Sequence, residues 1–365
     1  SAADGTTKVV SFTINGVNDA AVIGTPTVAS VTEDSGVTNG NLVATGSISI
    51  TDTDTGEATF ATTVVKATDA LGALVLNTDG TYTYTVANAA VQSLAQSETH
   101  VDTFTVSAAD GTTKVVSFTI NGVNDAPVVS AAVTGTATED GAKVTLDALA
   151  NATDVDHGAV LSVVSVPTTL PAGVSYDATS HSFTLDPTNA AYQALAQGQQ
   201  QTVSVTYAVS DGTASVAQTA SFVVTGVNDA PVAINDTAAL VQRTSVIGNV
   251  LINDRDIDTG DTLQVGQIGH GTASATVTTA GVQLVGDYGT VTIKSDGSYA
   301  YAASKEGTLA VGATGTDAFT YSVSDNHGGT TTAALSFTVT GSAQGDAGNN
   351  IIIAAAGSNT LSGGA

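Results

Sequence analysis

The chain has 365 residues, with 33 acids against 8 bases for a net charge of −25, 5% aromatics, and no Cys, Met or Trp. That balance sets aside nucleic acid and anionic membranes as partners and favours cations. Without cysteine there is no disulfide framework, and no apolar run of about 18 residues is present to insert into a membrane.

A hydrophobic content of 42%, mostly small and β-branched side chains, suits the cores of thin β-sandwiches and not a disordered chain. No basic-plus-apolar leader is visible, and the first residues already lie inside a repeat, so the chain reads as an excerpt of a longer one. Residues 1–20 recur without change at 107–126, an offset of 106 residues, which is the size of one sandwich domain and too long for a solenoid coil. Residues 1–17 are therefore expected to be the end of a truncated upstream module.

Module one spans 18–123. Thr81-Tyr82-Thr83-Tyr84-Thr85-Val86 alternates as a half-buried strand does, with Tyr82, Tyr84 and Val86 inward. Asn77-Thr78-Asp79-Gly80 ahead of it is a turn in which Gly supplies positive φ. Residues 88–96 form a helix-like piece with Asn88 as its expected N-cap. Phe104 and Val106, then Val116, Phe118 and Ile120, mark two further strands. Module two, 124–227, repeats the plan through Tyr192, Val205, Tyr207, Val209, Phe222 and Val224. Module three, 228–341, has diverged but keeps Tyr299-Ala300-Tyr301 and the alternation of Phe319, Tyr321 and Val323. In 342–365, Gly348-Asn349-Asn350 and Gly357-Ser358-Asn359 stand nine residues apart, the spacing of a degenerate β-roll turn that caps and does not bind tightly.

Four acidic features recur in register. They are the joints Asn18-Asp19, Asn124-Asp125 and Asn228-Asp229; the pairs Glu33-Asp34 and Glu139-Asp140; the Asp-x-Asp pairs Asp52/Asp54, Asp154/Asp156 and Asp256/Asp258; and the late turns at Asp110, Asp211 and Asp325. Asp-x-Asp starts 34, 30 and 28 residues after its joint, and the late Asp follows at 92, 87 and 97. Calcium takes six to eight oxygen ligands, more than any one of these loops offers, so a site must be assembled from distant segments. Carboxylates gathered without a cation would repel one another. The five histidines lack metal-like spacing, no Gly-x-Ser-x-Gly elbow occurs, and no residues form a catalytic constellation, so an enzyme is not expected.

The Val-Asn-Asp-Ala-Pro joint, the Gly-Thr-Tyr-Thr-Tyr strand, the Ala-Val-Gln-Ser-Leu-Ala segment and the Ser-Asp-Asn-His-Gly-Gly turn resemble bacterial cadherin-like modules of the VCBS type, found in repeat-rich adhesins. The resemblance covers residues 1 to about 341, and the tail resembles RTX nonapeptide repeats. It implies an all-β fold of tandem antiparallel, cadherin/Ig-like β-sandwiches end to end. It also implies Ca²⁺ at each joint. The joint at Asn124-Asp125 would use Glu33, Asp154, Asp156 and Asp211. That at Asn228-Asp229 would use Glu139, Asp256, Asp258 and Asp325. That at Asn18-Asp19 would use Asp52, Asp54 and Asp110 and, lacking an upstream Glu, would bind more weakly. Ala21 replaces Pro at that first joint, and Gln242-Arg243 stands near where module three would carry Glu-Asp.

The expected function is a non-catalytic, calcium-stiffened extender of a secreted or surface-anchored bacterial adhesin, active in cell adhesion or biofilm. Its partners would be calcium, neighbouring modules of the same chain and a surface glycan or protein receptor. A rival is a calcium-dependent glycan or peptide binder, for which Tyr192 and Tyr288 are the aromatics to examine as exposed stacking surfaces. Another is a spacer attached to a secreted enzyme.

Overall fold

The computed structural model describes residues 2–305 and 308–342. The β-roll-like turns expected after 342 lie outside the described residues. The chain divides into two compact units, one comprising Ser1–Val133, Asp147–Pro167 and Thr206–Thr219, the other Thr134–Leu146, Thr168–Val205 and Ala220–Ala365.

The first unit contains a complete sandwich. Its strands are β1 (Val22–Pro26), β2 (Ser30–Thr32), β3 (Asn41–Thr51), β4 (Val65–Lys66), β5 (Ala73–Leu76), β6 (Thr81–Ala87), β7 (Thr99–Ser107) and β8 (Thr113–Asn121). They form sheets ordered β1-β3-β6-β5 and β2-β8-β7-β4. The period-two pattern read from the sequence is the burial pattern observed: Tyr82, Tyr84 and Val86 of β6 face Phe104, Val106, Phe118 and Ile120. Tyr84 stacks on Phe118 with centroids 4.5 Å apart. The β5–β6 turn needs its glycine. Gly80 has φ +85°, and a Cβ there would lie 2.2 Å from the Ile48 carbonyl oxygen.

A buried carboxylate pins this core. Asp102 accepts hydrogen bonds from the amides of Leu71 (2.8 Å) and Gly72 (2.6 Å) and from the Tyr84 hydroxyl (2.7 Å). One pairing positions the candidate site. β2 runs parallel to β8, with Thr32 beside Asn121, so Glu33 emerges alongside the segment leaving β8. The 88–96 piece is a single 3₁₀ turn, Asn88–Ala90. Ala87, not Asn88, holds its cap position: the Asn88 Oδ1 that would accept a helix amide already accepts the backbone amide of Asp34 (3.0 Å), while its Nδ2 donates to Asp34 Oδ1 (2.6 Å).

The remaining strands of the middle repeat are β9 (Val128–Val129), β10 (Val133–Thr138), β11 (Val144–Asp147), β12 (Ala152–Thr153), β13 (Ser162–Val164), β14 (Val174–Asp177), β15 (Ser182–Leu185), β16 (Gln200–Ser210) and β17 (Ser215–Thr225). In the first unit β9 pairs with β12, and β13 pairs with the 208–210 end of β16. In the second unit β14 pairs with β15. There the Glu139 amide donates to the Thr225 carbonyl (2.9 Å), so Glu139 again leaves beside the end of a long strand.

The second unit also holds a complete sandwich: β18 (Asp236–Val241), β19 (Ser245–Asn249), β20 (Gln264–His270), β21 (Ala273–Thr276), β22 (Val282–Val285), β23 (Thr290–Ile293), β24 (Ser298–Ala302), β25 (Thr314–Ser324) and β26 (Thr330–Thr340). Its sheets are ordered β18-β26-β25-β20-β21 and β19-β24-β23-β22. β18 runs parallel to β26 as β2 does to β8. Asp317 repeats the buried pin. Its carboxylate accepts the amides of Asp287, Tyr288 and Gly289 and the Tyr301 hydroxyl.

Residues 2–20 carry the same sequence as 108–126 but form no strand. Val9, Phe12 and Ile14 are exposed, whereas Val115-Val116, Phe118 and Ile120 belong to β8.

Candidate cation sites at the Asn-Asp joints

The joint backbone is placed by a glycine. A Cβ on Gly122 would lie 2.1 Å from the Leu94 carbonyl oxygen, and one on Gly226 would lie 2.2 Å from that of Leu195. Only glycine lets the segment leaving the last strand press against the turn that carries Gln92, or Gln193 in the second unit.

In the first unit, the Val123 amide donates to Glu33 Oε2 (3.3 Å) and the Asp125 amide to Asp156 Oδ2 (3.0 Å). The Asn124 side-chain amide donates to Asp211 Oδ2 (3.0 Å). The Asp156 amide closes the Asp-x-Asp bend onto Asp154 Oδ1 (3.0 Å). Gln92 Nε2 spans Glu33 Oε1 (2.9 Å) and Asp34 Oδ1 (3.0 Å). The structure thus brings together Glu33, Asn124, Asp125, Asp154, Asp156 and Asp211 within a single unit.

The second unit repeats these contacts. The Val227 amide donates to Glu139 Oε2 (3.0 Å), that of Asp229 to Asp258 Oδ2 (2.8 Å), and that of Asp258 to Asp256 Oδ1 (3.0 Å). The Asn228 side chain reaches Asp325 Oδ2 (2.8 Å), and Gln193 holds Asp140 (2.9 Å). The joint at Asn18-Asp19 keeps half the pattern, with the Asp19 amide on Asp54 Oδ2 (2.8 Å), the Asp54 amide on Asp52 Oδ1 (2.8 Å) and the Ala21 amide on Asp110 Oδ2 (3.0 Å). Asn18 and Asp19 themselves are exposed.

At Asp52, Asp154, Asp156, Asp256 and Asp258 one carboxylate oxygen is held by a backbone amide and the other is left over, whereas both oxygens of Glu33, Asp211 and Asp325 are taken. Asp52 Oδ2, Asp125 Oδ2, Asp154 Oδ2, Asp156 Oδ1, Asp256 Oδ2, Asp258 Oδ1 and Asn228 Oδ1 are buried and have no hydrogen-bond partner. Unpaired buried anionic oxygens are costly, and here they collect at the joints. The electrostatics agree. Burial first, then the charges of Asp125, Asp34 and Asp156, push the Glu33 carboxyl up to about 6. Burial and neighbouring carboxylates likewise raise Asp125, Glu139, Asp229 and Asp258. Asp211 and Asp325 move the other way: burial works to raise them, but their several hydrogen bonds together outweigh it. The residues therefore fit a hard cation, which would neutralise the crowded charge and use the spare oxygens.

Sequence reasoning missed part of the set. Glu57 clusters with Asp52 and Asp54, and Asp261 with Asp256 and Asp258, each trio offering oxygens within 4.8 Å. Both sit five residues after the first Asp of their Asp-x-Asp, a spacing at which the middle repeat has Ala159. Asp34 and Asp140, at φ +54° and +57°, and the glutamines that hold them also belong to the arrangement. Gln242-Arg243 occupies the Glu-Asp position in the third repeat. The Gln242 amide donates to Thr340 O (2.8 Å) as that of Glu33 does to Asn121 O (2.9 Å), and Arg243 has φ +70°. Of the two tyrosines expected as possible exposed stacking surfaces, Tyr192 is 1% exposed, with its hydroxyl on the Ala172 carbonyl, and Tyr288 packs against the third sandwich's core. A third acidic group, His270 with Asp287 and Asp317, differs because Asp317 is already satisfied by amides and the Tyr301 hydroxyl.

The family model of the bacterial cadherin-like domain matches residues 18–122 and 228–341, and that of the cadherin-like domain matches 123–225. The chain belongs to the bacterial cadherin-like family. No curated protein matches this bacterial cadherin-like chain in sequence. Among solved structures, it is similar to mouse cadherin-23 EC22–24 at 14% identity, covering 87% of this chain and 99% of that one with a TM-score of 0.49. It is also similar to the titin I-band fragment I67–I69, at 10% identity, 88% and 98% coverage, and a TM-score of 0.35. A third is the protocadherin gammaB7 EC3–6 cis-dimer, at 14%, 88% and 77%, with a TM-score of 0.45. The all-β architecture of tandem cadherin/Ig-like sandwiches expected from the sequence is the one found.

Proposed function

We propose that this chain is a non-catalytic, calcium-stiffened extender of a secreted or cell-surface bacterial adhesin, of the VCBS-repeat kind with an RTX-like tail. Its modules are assigned to 18–123, 124–227 and 228–341, following the end of an upstream module at 1–17. Cadherin-like domains generally bind calcium. The observation that carries the reading is the set of buried, unpartnered oxygens on Asp125, Asp154, Asp156, Asn228, Asp256 and Asp258. Glu33, Asn124, Asp125, Asp154, Asp156 and Asp211 would hold calcium at one joint. Glu139, Asn228, Asp229, Asp256, Asp258 and Asp325 would hold it at the next, and Asn18, Asp19, Asp52, Asp54 and Asp110 at the weakest. The ion would offset repulsion among carboxylates drawn from two repeats, and so hold those segments together. At calcium a hundredfold above Kd, one such site adds about 2.7 kcal/mol to stability. Adhesion and biofilm formation follow from presenting a glycan- or protein-binding region at a distance from the cell.

Small-angle scattering in millimolar calcium and in excess chelator tests this. A profile that shifts toward greater flexibility on chelation is expected; identical profiles, with calorimetry showing no calcium uptake, would overturn it. Among the described residues no helix is long and apolar enough to cross a membrane.

A further inference from the structure

The third sandwich carries a second group of oxygens that the joints do not use. The hydroxyl of Tyr321, a fully buried residue of β25, has Asp236 Oδ2 at 2.9 Å, the Ile234 carbonyl at 3.1 Å, Asp254 Oδ2 at 3.3 Å and the Val250 carbonyl at 3.4 Å. A phenol has one proton to give. Once it serves Asp236, Asp254 Oδ2 has no donor, although Asp254 is only 7% exposed. Its other oxygen is taken by the Ile234 amide at 2.7 Å. Asn253 donates its amide to the Ile234 carbonyl (3.1 Å), yet its Oδ1 is buried and unpartnered. Among the described residues neither Asp236 nor Asp254 forms an ion pair.

The middle repeat shows the same place without the acids. Counting from Asp-x-Asp, Val250, Asn253 and Asp254 correspond to Ala148, Asn151 and Ala152, and counting from the late Asp, Tyr321 corresponds to Tyr207. There the Tyr207 hydroxyl donates to the Ala148 carbonyl at 2.7 Å, and Asn151 donates to the Ala131 and Ala132 carbonyls. A neutral tyrosine-to-carbonyl bond thus serves one repeat. The third has added two carboxylates around the same hydroxyl and lengthened that bond to 3.4 Å. The Ile234 amide and the one Tyr321 proton between them satisfy only part of the four carboxylate oxygens so added.

We propose that Asp236, Asn253 and Asp254, with the Ile234 and Val250 carbonyls and the Tyr321 hydroxyl, form a calcium site inside the third sandwich, separate from the joints. Six oxygens, two of them anionic, meet the lower bound of calcium's coordination number. The ion ties the segment entering β18 to the loop before Asp256, so it braces the loop that also serves the neighbouring joint.

The test counts calcium by equilibrium dialysis on the full chain. Asp254→Ala, which installs the middle repeat's own residue, is expected to bind one ion fewer than the parent, and Asp236→Asn the same. Near-UV circular dichroism checks folding of each variant, and if one misfolds the other reads the same loss. Unchanged stoichiometry in a folded variant would overturn the site and leave a proton shared between the two carboxylates. The double variant Asp256→Asn/Asp258→Asn separates this inference from the joint reading. Loss of calcium there but not in Asp254→Ala removes the inner site alone, and the reverse removes the joint site alone.

Discussion

Glu33 and Glu139 are each about 2% exposed or less, and each lies among other acids. In chelator this makes stability fall as pH rises. The folded state holds the Glu33 proton more tightly than the unfolded chain, since its pKa stands at about 6 and not 4.5. That advantage is present below about pH 4.5 and is lost as pH rises through about 6. Calorimetry in chelator should therefore show Tm decreasing across this window, and calcium, which binds the ionised form, should reverse the trend. A chelated Tm that climbs over the same range would contradict the crowding seen at the joint. The glutamines act one step back. Replacing Gln193 by Ala frees Asp140 and Glu139 to rotate, and should weaken calcium binding at that joint by about 10- to 100-fold, read by calorimetric titration. The joint acids were legible because they recur in register. The glutamines were not, because a Gln inside an apolar turn carries no charge signal, and its role shows only when the fold sets it opposite Glu33 or Glu139.

At the scale of elements, the decisive feature is the close approach of strand exit and turn at Gly122 and Gly226. Gly122→Ala forces a methyl against the Leu94 carbonyl and should cost about 1–3 kcal/mol, with a lower Tm in calcium and chelator alike. The buried pins make a contrasting case. Asp102→Ala leaves the Leu71 and Gly72 amides without acceptors, at about 1–3 kcal/mol for each unsatisfied group. Its effect on urea unfolding should be the same with and without calcium. The strands around these features were readable from alternation, as at Tyr82, Tyr84 and Val86. The short 88–96 piece was only half readable: its turn is real, but Asn88 serves Asp34 and not a helix end, a choice made by tertiary contact.

For the whole molecule, sandwich architecture followed from composition and a repeat of about one hundred residues, since small β-branched side chains fill little else. Conformation is nonetheless a property of neighbours and not of sequence alone. The twenty residues that open the chain have the same letters as 107–126, yet only the second copy finds β7 and β2 to pair with. The chain therefore contains its own isotopic reference. After deuterium labelling, a peptic fragment reading Val-Val-Ser-Phe-Thr-Ile-Asn comes from both places with one mass and one retention time. Its envelope should split into a fast and a slow population of equal abundance, and the gap between them reports how much protection a sandwich confers on an unaltered stretch of polypeptide.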